Sequence, residues 1–302
     1  MELGLGLPTS GRGSSLDAIT QVAAGAERLG LAAVWTFERL LRPTQPVAMG
    51  DGQTMVVPEY YAVVWDPLEV LAFVAARTSR IRLGTSVVDS LFHPPVVLAR
   101  RFATLDQLSG GRVVVGIGQA WMPDEFRVAN VPLARRGAGF DDHLGAMRAV
   151  WGPDPVRYDG RFYRIPESEI GPKPVQPGGP GVLMGANSPG GIQRAARLGV
   201  GLNPIIFGWE QIEGAVRSFR VEAEAAGFEP GSLPIVVRVN GPVTDRPADE
   251  SRPPGTGSVD QVAEDVGRLD RLGVDHVMWS MPTEPAEQLE VMEALQGQVG
   301  EH

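Results

Sequence analysis

A carboxylate and a guanidinium stand side by side at Glu38-Arg39, directly after the apolar run Ala32–Thr36. Glu38 can exchange a proton or accept a hydrogen bond, whereas Arg39 stays charged and only donates. A structural ion pair without function is the alternative. His93, in Leu91-Phe92-His93-Pro94-Pro95, is the second acid–base candidate; otherwise it is a loop histidine ordering its own backbone. The four histidines show no metal-ligand spacing with one another or with carboxylates, and there is no cysteine. Metal sites, disulfides and cysteine nucleophiles are therefore not expected.

Gly185-Ala186-Asn187-Ser188-Pro189-Gly190 places a serine in a tight turn, as a nucleophile elbow would. Pro189 lacks the N–H that an oxyanion hole needs, which argues against hydrolase chemistry. The same stretch suits an anion. Asn187 or Ser188 can cap a helix, Pro189 fits its first position, and Gly190 and Gly191 leave backbone N–H groups approachable. Arg194 follows one turn later with a positive charge. A capped helix without a ligand is the plainer reading. Gly116-Ile117-Gly118 opens like a dinucleotide fingerprint, but its third glycine position is Trp121, whose indole prevents close helix–strand packing. The glycine pair either lets a strand exit beside a bound ring or makes a plain turn.

Eight strand-like runs must position these residues: 2–7, 32–36, 81–87, 113–117, 181–185, 199–203, 235–240 and 276–281. Helical patterns fall at 15–29, 67–78, 95–108, 134–150, 190–198, 209–226, 258–272 and 285–298. Val113–Ile117 has no polar alternation, so it must be covered on both faces, as in a parallel sheet wrapped by helices. Eight β-α alternations in 302 residues favour an α/β fold of the closed (β/α)8 TIM-barrel type over a doubly wound sheet. Ligands of such barrels sit beyond the carboxyl ends of the strands. Two insertions interrupt a single domain spanning 1–302. Residues 40–66, with Met49, Met55, Tyr60 and Tyr61, read as a lid, and 152–180 contain a hairpin turning at Asp159-Gly160.

A net charge of -9, without a basic patch, disfavours nucleic acid as a partner. No window approaches the ~18 apolar residues of a membrane span. The opening MELGLGLPTS has no basic segment before its short apolar run, so no secretory signal is expected and a cytoplasmic location is.

Val34-Trp35-Thr36-Phe37-Glu38, Ile81–Ser86, Ala103–Arg112 with Gly116-Ile117-Gly118, Lys173–Pro177, and Gly185 with Ala195-Ala196 occur in one order along the chain. In that order they resemble the bacterial luciferase-like superfamily, particularly its branch of oxidoreductases that use coenzyme F420. The resemblance implies a metal-free TIM barrel with a flavin or deazaflavin ring over its mouth, a non-prolyl cis peptide at Ser86-Val87, a cofactor phosphate near Gly185–Gly190, and a homodimer. Two departures stand out. Arg39 replaces a histidine common in relatives, and Trp121 replaces a glutamate that is catalytic in some sugar-phosphate dehydrogenases of the family. The expected activity is hydride transfer between F420 and a small organic substrate. The alternatives are an FMN-dependent monooxygenase and a non-catalytic flavin-binding barrel. Expected site residues are Glu38 and His93 for catalysis. Those for the cofactor are Ser86, Val87, Gly118, Gln119, Gly185, Ala186, Asn187, Ser188, Gly190, Gly191 and Arg194. Leu7, Arg39, Trp121 and Trp279 are expected in the substrate pocket.

Overall fold

Apolar strands that must be covered on both faces can close into a ring, filled by side chains inside and wrapped by helices outside. The computed structural model describes residues 1–48, 52–229, 231–249, 251–281 and 283–299. Its barrel strands are β1 (Glu2–Gly6), β2 (Ala33–Thr36), β3 (Arg82–Thr85) and β4 (Val113–Gly118), followed by β5 (Gly181–Gly185), β6 (Gly201–Asn203), β7 (Val236–Asn240) and β8 (His276–Ser280). They pair in parallel in the order β6-β5-β4-β3-β2-β1-β8-β7. An open doubly wound sheet would leave β6 and β7 as edges. Here parallel bridges Leu202–Ile235 and Ile205–Arg238 join them, and the ring closes into the expected TIM barrel.

The helices are α1 (Leu16–Leu29), α2 (Pro67–Ala75), α3 (Pro95–Ser109), α4 (Pro123–Val128), α5 (Ala138–Trp151), α6 (Pro189–Arg197), α7 (Trp209–Ala225), α8 (Val259–Arg271) and α9 (Pro285–Val299). Only the short α4 has no counterpart in the sequence pattern. Local chemistry sets the ends. Ser15 accepts from Ala18 N at the start of α1, and Ser258 and Gln261 form a reciprocal capping box on α8. The fifth helix begins at Ala138 rather than Ala134, because Gly137 turns the chain at φ 76° after a short 3-10 turn. The hairpin pairs Val156–Asp159 with Arg164–Ser168, and its turn runs from Gly160 to Tyr163 instead of pivoting at Asp159-Gly160. Asp142 of α5 accepts from Phe162 N, Tyr163 N and the Tyr158 hydroxyl, which stabilises the longer turn.

Side chains alternate along each strand, so residue parity decides which side of the barrel wall they occupy. Ala33, Trp35, Leu183, Val236 and Met278 share the interior, with Val114 against them. The Trp35 indole donates to His276 Nε2 at 3.2 Å. Glycines make room for this filling: a methyl group at Gly84 would overlap the Trp35 ring. Leu3, Leu5 and Leu7, of opposite parity, join the outer core beneath the helices.

The described residues of segment 40–66 are packed and paired. Val47–Ala48 pairs with Thr54–Met55, and Val47, Val57 and Met122 form a small core with Leu41, Tyr61 and Trp121 packed on it. Met49 lies outside the described residues. Among the described residues no helix is long and apolar enough to cross a membrane.

Gly116 marks the tightest approach in the barrel wall. The Thr85 hydroxyl donates to Gly116 O at 2.7 Å and accepts from Gly116 N at 2.9 Å, and a Cβ at residue 116 would overlap the Thr85 carbonyl. Backbone on both sides cannot step aside, so Gly116→Ala is expected to cost about 3 kcal/mol. Gly13→Ala, which has open space around it, should stay within about 0.5 kcal/mol. Urea unfolding followed by circular dichroism compares them; equal losses would refute the close-approach account.

Candidate functional site

Beyond the carboxyl ends of the strands lies a cavity of about 320 Å³. Its floor begins where β3 ends. The Ser86-Val87 peptide is cis, as the resemblance implied. The Val87 side chain lies between Gly118 and Gly185, where a Cβ would sit 2.7 and 2.9 Å from it. Glycine at both positions therefore lets the Val87 side chain pack directly on β4 and β5. Ser86 Oγ donates to Asn203 Oδ1 at 2.7 Å, and Asn203 Nδ2 donates to Val236 O at 2.6 Å. Arg238, from β7, donates to the Ser86 carbonyl. This polar chain links β3, β6 and β7 across the barrel mouth.

One wall carries Arg39 in a cluster of carboxylates. Its Nη1 donates to Asp89 Oδ2 at 2.8 Å and approaches Glu125 Oε2 at 3.4 Å. The guanidinium also lies 5.3 Å from the Tyr61 ring centre and 5.7 Å from that of Trp121. Its buried Nε has no hydrogen-bond partner among the described residues. The acids are fixed in turn: Asp89 Oδ1 accepts from Ala120 N at 3.1 Å, and Glu125 Oε1 from Leu40 N at 2.9 Å. Burial pushes the Asp89 carboxyl up to about 6, although Arg39 pulls the other way. It also pushes Glu125 up to about 7, again against Arg39. Burial disfavours the Arg39 charge too, but Asp89 and Glu125 outweigh it and hold its pKa above the ordinary range.

The opposite wall is the start of α6. Ser188 caps it by accepting from Gly191 N, and Pro189 occupies its first position. Asn187 is spent on the backbone of Ile205, donating to its carbonyl and accepting from its N–H. Arg136 lines this side of the cavity, and its guanidinium has no partner among the described residues. Gln119 accepts from Gly137 N at 2.6 Å, which fixes the loop carrying Arg136.

Of the expected residues, the structure gathers Arg39, Ser86, Val87, Gly118, Gln119, Trp121, Gly185, Ala186, Asn187, Ser188 and Gly191 around this cavity. Six others do not line it. Glu38 and His93 pair with each other behind the wall, at 2.8 Å, and the second Glu38 oxygen accepts from Asp89 N. Leu7 and Trp279 face the outer core because of their parity, and the Trp279 indole donates to Gly255 O. Gly190 is exposed on the outside of the first turn of α6. Arg194 is engaged by Asp141 at 2.8 Å. Sequence reading passed over Phe37, Asp89, Arg136, Asn203, Arg238 and Asn240, and named Tyr61 only as part of the lid. For Phe37, Arg238 and Asn240 a signal existed: they continue the interior parity of Trp35 and Val236 past the ends of their strands. Among the described residues there is no cluster of ligands that could hold a metal ion.

A family profile described as luciferase-like monooxygenase matches residues 1–253. An uncharacterized protein of Mycobacterium tuberculosis is 40% identical over 190 residues, covering 62% of this chain and 65% of that protein. The F420-dependent glucose-6-phosphate dehydrogenase of Kineococcus radiotolerans is 32% identical over 202 residues, covering 66% of this chain and 55% of the dehydrogenase. The chain thus spans less than two-thirds of the length of these curated relatives. Among solved structures, the monooxygenase RslO1 from Streptomyces bottropensis superposes with a TM-score of 0.81 at 25% identity, covering 100% of this chain and 99% of that one.

Glu125 ionises at about 7 in the fold against an ordinary 4.5. Across that window the unfolded chain releases its proton first, so ionisation progressively weakens the fold as pH rises. Buried His143, whose pKa burial lowers to about 4, acts in the opposite sense and is common to both proteins compared. The melting temperature of Glu125→Gln relative to the unsubstituted chain should therefore climb from pH 4.5 to about 7. Thermal melts at stepped pH measure it, and a difference that stays constant with pH would exclude the effect.

Proposed function

The chain belongs to the luciferase-like monooxygenase family, and from that premise we propose that it is an F420-dependent oxidoreductase, moving a hydride between the deazaflavin and a small organic substrate. The observation that carries the reading is a cavity shaped for a planar ring with an anionic tail. Val87 between Gly118 and Gly185 offers the ring an apolar surface. Arg136 and the positive end of the α6 dipole beside Ser188 would hold a phosphate; Pro189 has no N–H and that of Gly191 is spent on Ser188, so the guanidinium would make the main contact. When bound, the deazaflavin supplies the hydride chemistry, and the protein orients and shields it. The F420-dependent dehydrogenase among the relatives supports this choice of coenzyme.

Arg39 cannot exchange a proton, so acid–base work falls to a carboxyl group. Asp89 is the acid that lines the cavity, with a pKa raised to about 6. It is therefore poised to give or take the proton that accompanies hydride movement at a carbonyl. Glu38 and His93 act through it: Glu38 accepts the Asp89 N–H and fixes that loop. Tyr61 and Trp121 exclude water from the same wall.

The likeness to RslO1 favours a second reading, a monooxygenase using FMN. Titrating the apoprotein with each cofactor separates them. F420 should bind about tenfold tighter than FMN, and Arg136→Gln should weaken F420 about fivefold through loss of a charge-assisted contact. Arg194→Gln should change it little, since that side chain is already engaged by Asp141. FMN binding as tight as F420 binding, or tighter, would decide for the monooxygenase.

A further inference from the structure

The cavity is lined by three guanidiniums, and acids among the described residues compensate only one of them. Arg39 has Asp89 and Glu125. Arg136 faces the proposed phosphate end. Arg238 has no acidic partner among the described residues, although it is half-buried at the barrel mouth. Its Nε donates to Asn240 Oδ1 at 2.8 Å and one Nη1 hydrogen goes to the Ser86 carbonyl. A guanidinium carries five N–H donors, so most of its hydrogen-bonding capacity is left over, on Nη1 and Nη2. Burial works against its charge, Arg39 adds repulsion, and the phenols of Tyr61 and Tyr60 offset this only in part. A half-buried cation held this way is costly unless something in the cavity brings the opposite charge.

We propose that Arg238 anchors a carboxylate on the substrate, so that the substrate class is a small organic acid with a planar stem. Parity points the side chain inward from β7, continuing the row of Val236. Its guanidinium lies 5.1 Å from the Phe37 ring centre, so an aromatic ring stands beside the fork. A planar fork with parallel donors matches a carboxylate in two-point contact. The stem follows from the walls: Phe37, Tyr61 and Trp121 present aromatic surface around the same space. Arg238 stands three strands round the ring from β4, after which Arg136 follows, so the two cations address different parts of whatever fills the cavity. The chain carries a net charge of -9 and would repel an anion at long range, which leaves recognition to these local donors.

The identity of the bound cofactor in this proposal rests on the F420 reading; the charge argument does not. Calorimetric titration of the F420-loaded protein with benzoate and with benzamide compares one ring with and without a charge. Benzoate should bind about tenfold tighter, the difference expected of a charge-assisted contact. Arg238→Gln should abolish the preference, Arg238→Lys should restore part of it, and F420 affinity should move less than about threefold in either. Circular dichroism confirms that each variant is folded. Equal affinity of the two probes for the unsubstituted protein, binding of neither, or a preference that survives Arg238→Gln would overturn the proposal. Loss of F420 binding in Arg238→Gln would also overturn it, by assigning the residue to the cofactor. If the unsubstituted protein binds FMN and not F420, the coenzyme reading fails alone, and the same two titrations on the FMN-loaded protein still decide the role of Arg238.

Discussion

The site depends on a guanidinium taken out of water. Arg39 is held in a wall of aromatic rings, where its charge persists only because Asp89 and Glu125 stand against it. That requirement adds a polar tie between segments that already pair at Asp89–Gly118 and share the small core of Val47, Val57 and Met122. Asp89 follows β3 and also holds Ala120, where the chain turns at φ 56° after β4. Glu125 sits on α4 and holds Leu40, the first residue of the insertion after β2. One cation thus sets the relative positions of three loops, and with them the shape of the cavity wall. Burial displaces the carboxyl groups of Asp89 and Glu125 upward against the pull of Arg39, and the nearby Glu38 adds a smaller push in the same direction.

Compensation is uneven across the cavity, and the unevenness carries the functional reading. The charge of Arg39 is met by acids, whereas Arg136 and Arg238 have no acidic partner among the described residues. Fold likeness alone would not separate an oxidoreductase from a binding barrel. Two cations without an acidic partner among the described residues, at different places on the rim of a shaped cavity and one beside a helix N-terminus, fit a ligand with separated anionic groups. The acidic remainder of the surface leaves recognition of such a ligand to these few donors.

Glycine has a second kind of role here, distinct from turning the chain. Gly84 makes space for Trp35, Gly116 for the Thr85 carbonyl, and Gly118 with Gly185 for Val87. The Gly116-Ile117-Gly118 pair therefore belongs to the packing between strands and to the cavity floor, where close approach excludes even a methyl group. A phosphate fingerprint would have used the same residues for a different contact, and Trp121 already argued against it.

The barrel was legible in the sequence. Eight apolar runs alternating with eight helical patterns leave few topologies, because strands without polar faces must be wrapped on both sides. The start of α6 was legible too, since a serine, a proline and two glycines specify a capped helix by local chemistry. The partners of Arg39 were not, for they lie 50 and 86 residues away, one just after β3 and one on the short α4, which no periodicity describes. Glu38 and His93 occupied the expected strand ends, yet each side chain turned to the other and away from the cavity. Leu7 and Trp279 were placed at the right ends of their strands and on the wrong side of the wall. Position along a strand brings a residue to the mouth, but alternation decides whether its side chain enters the cavity or the outer core. Which charges then face each other depends on loops from different strands converging over the barrel, and only the closed ring brings them within reach.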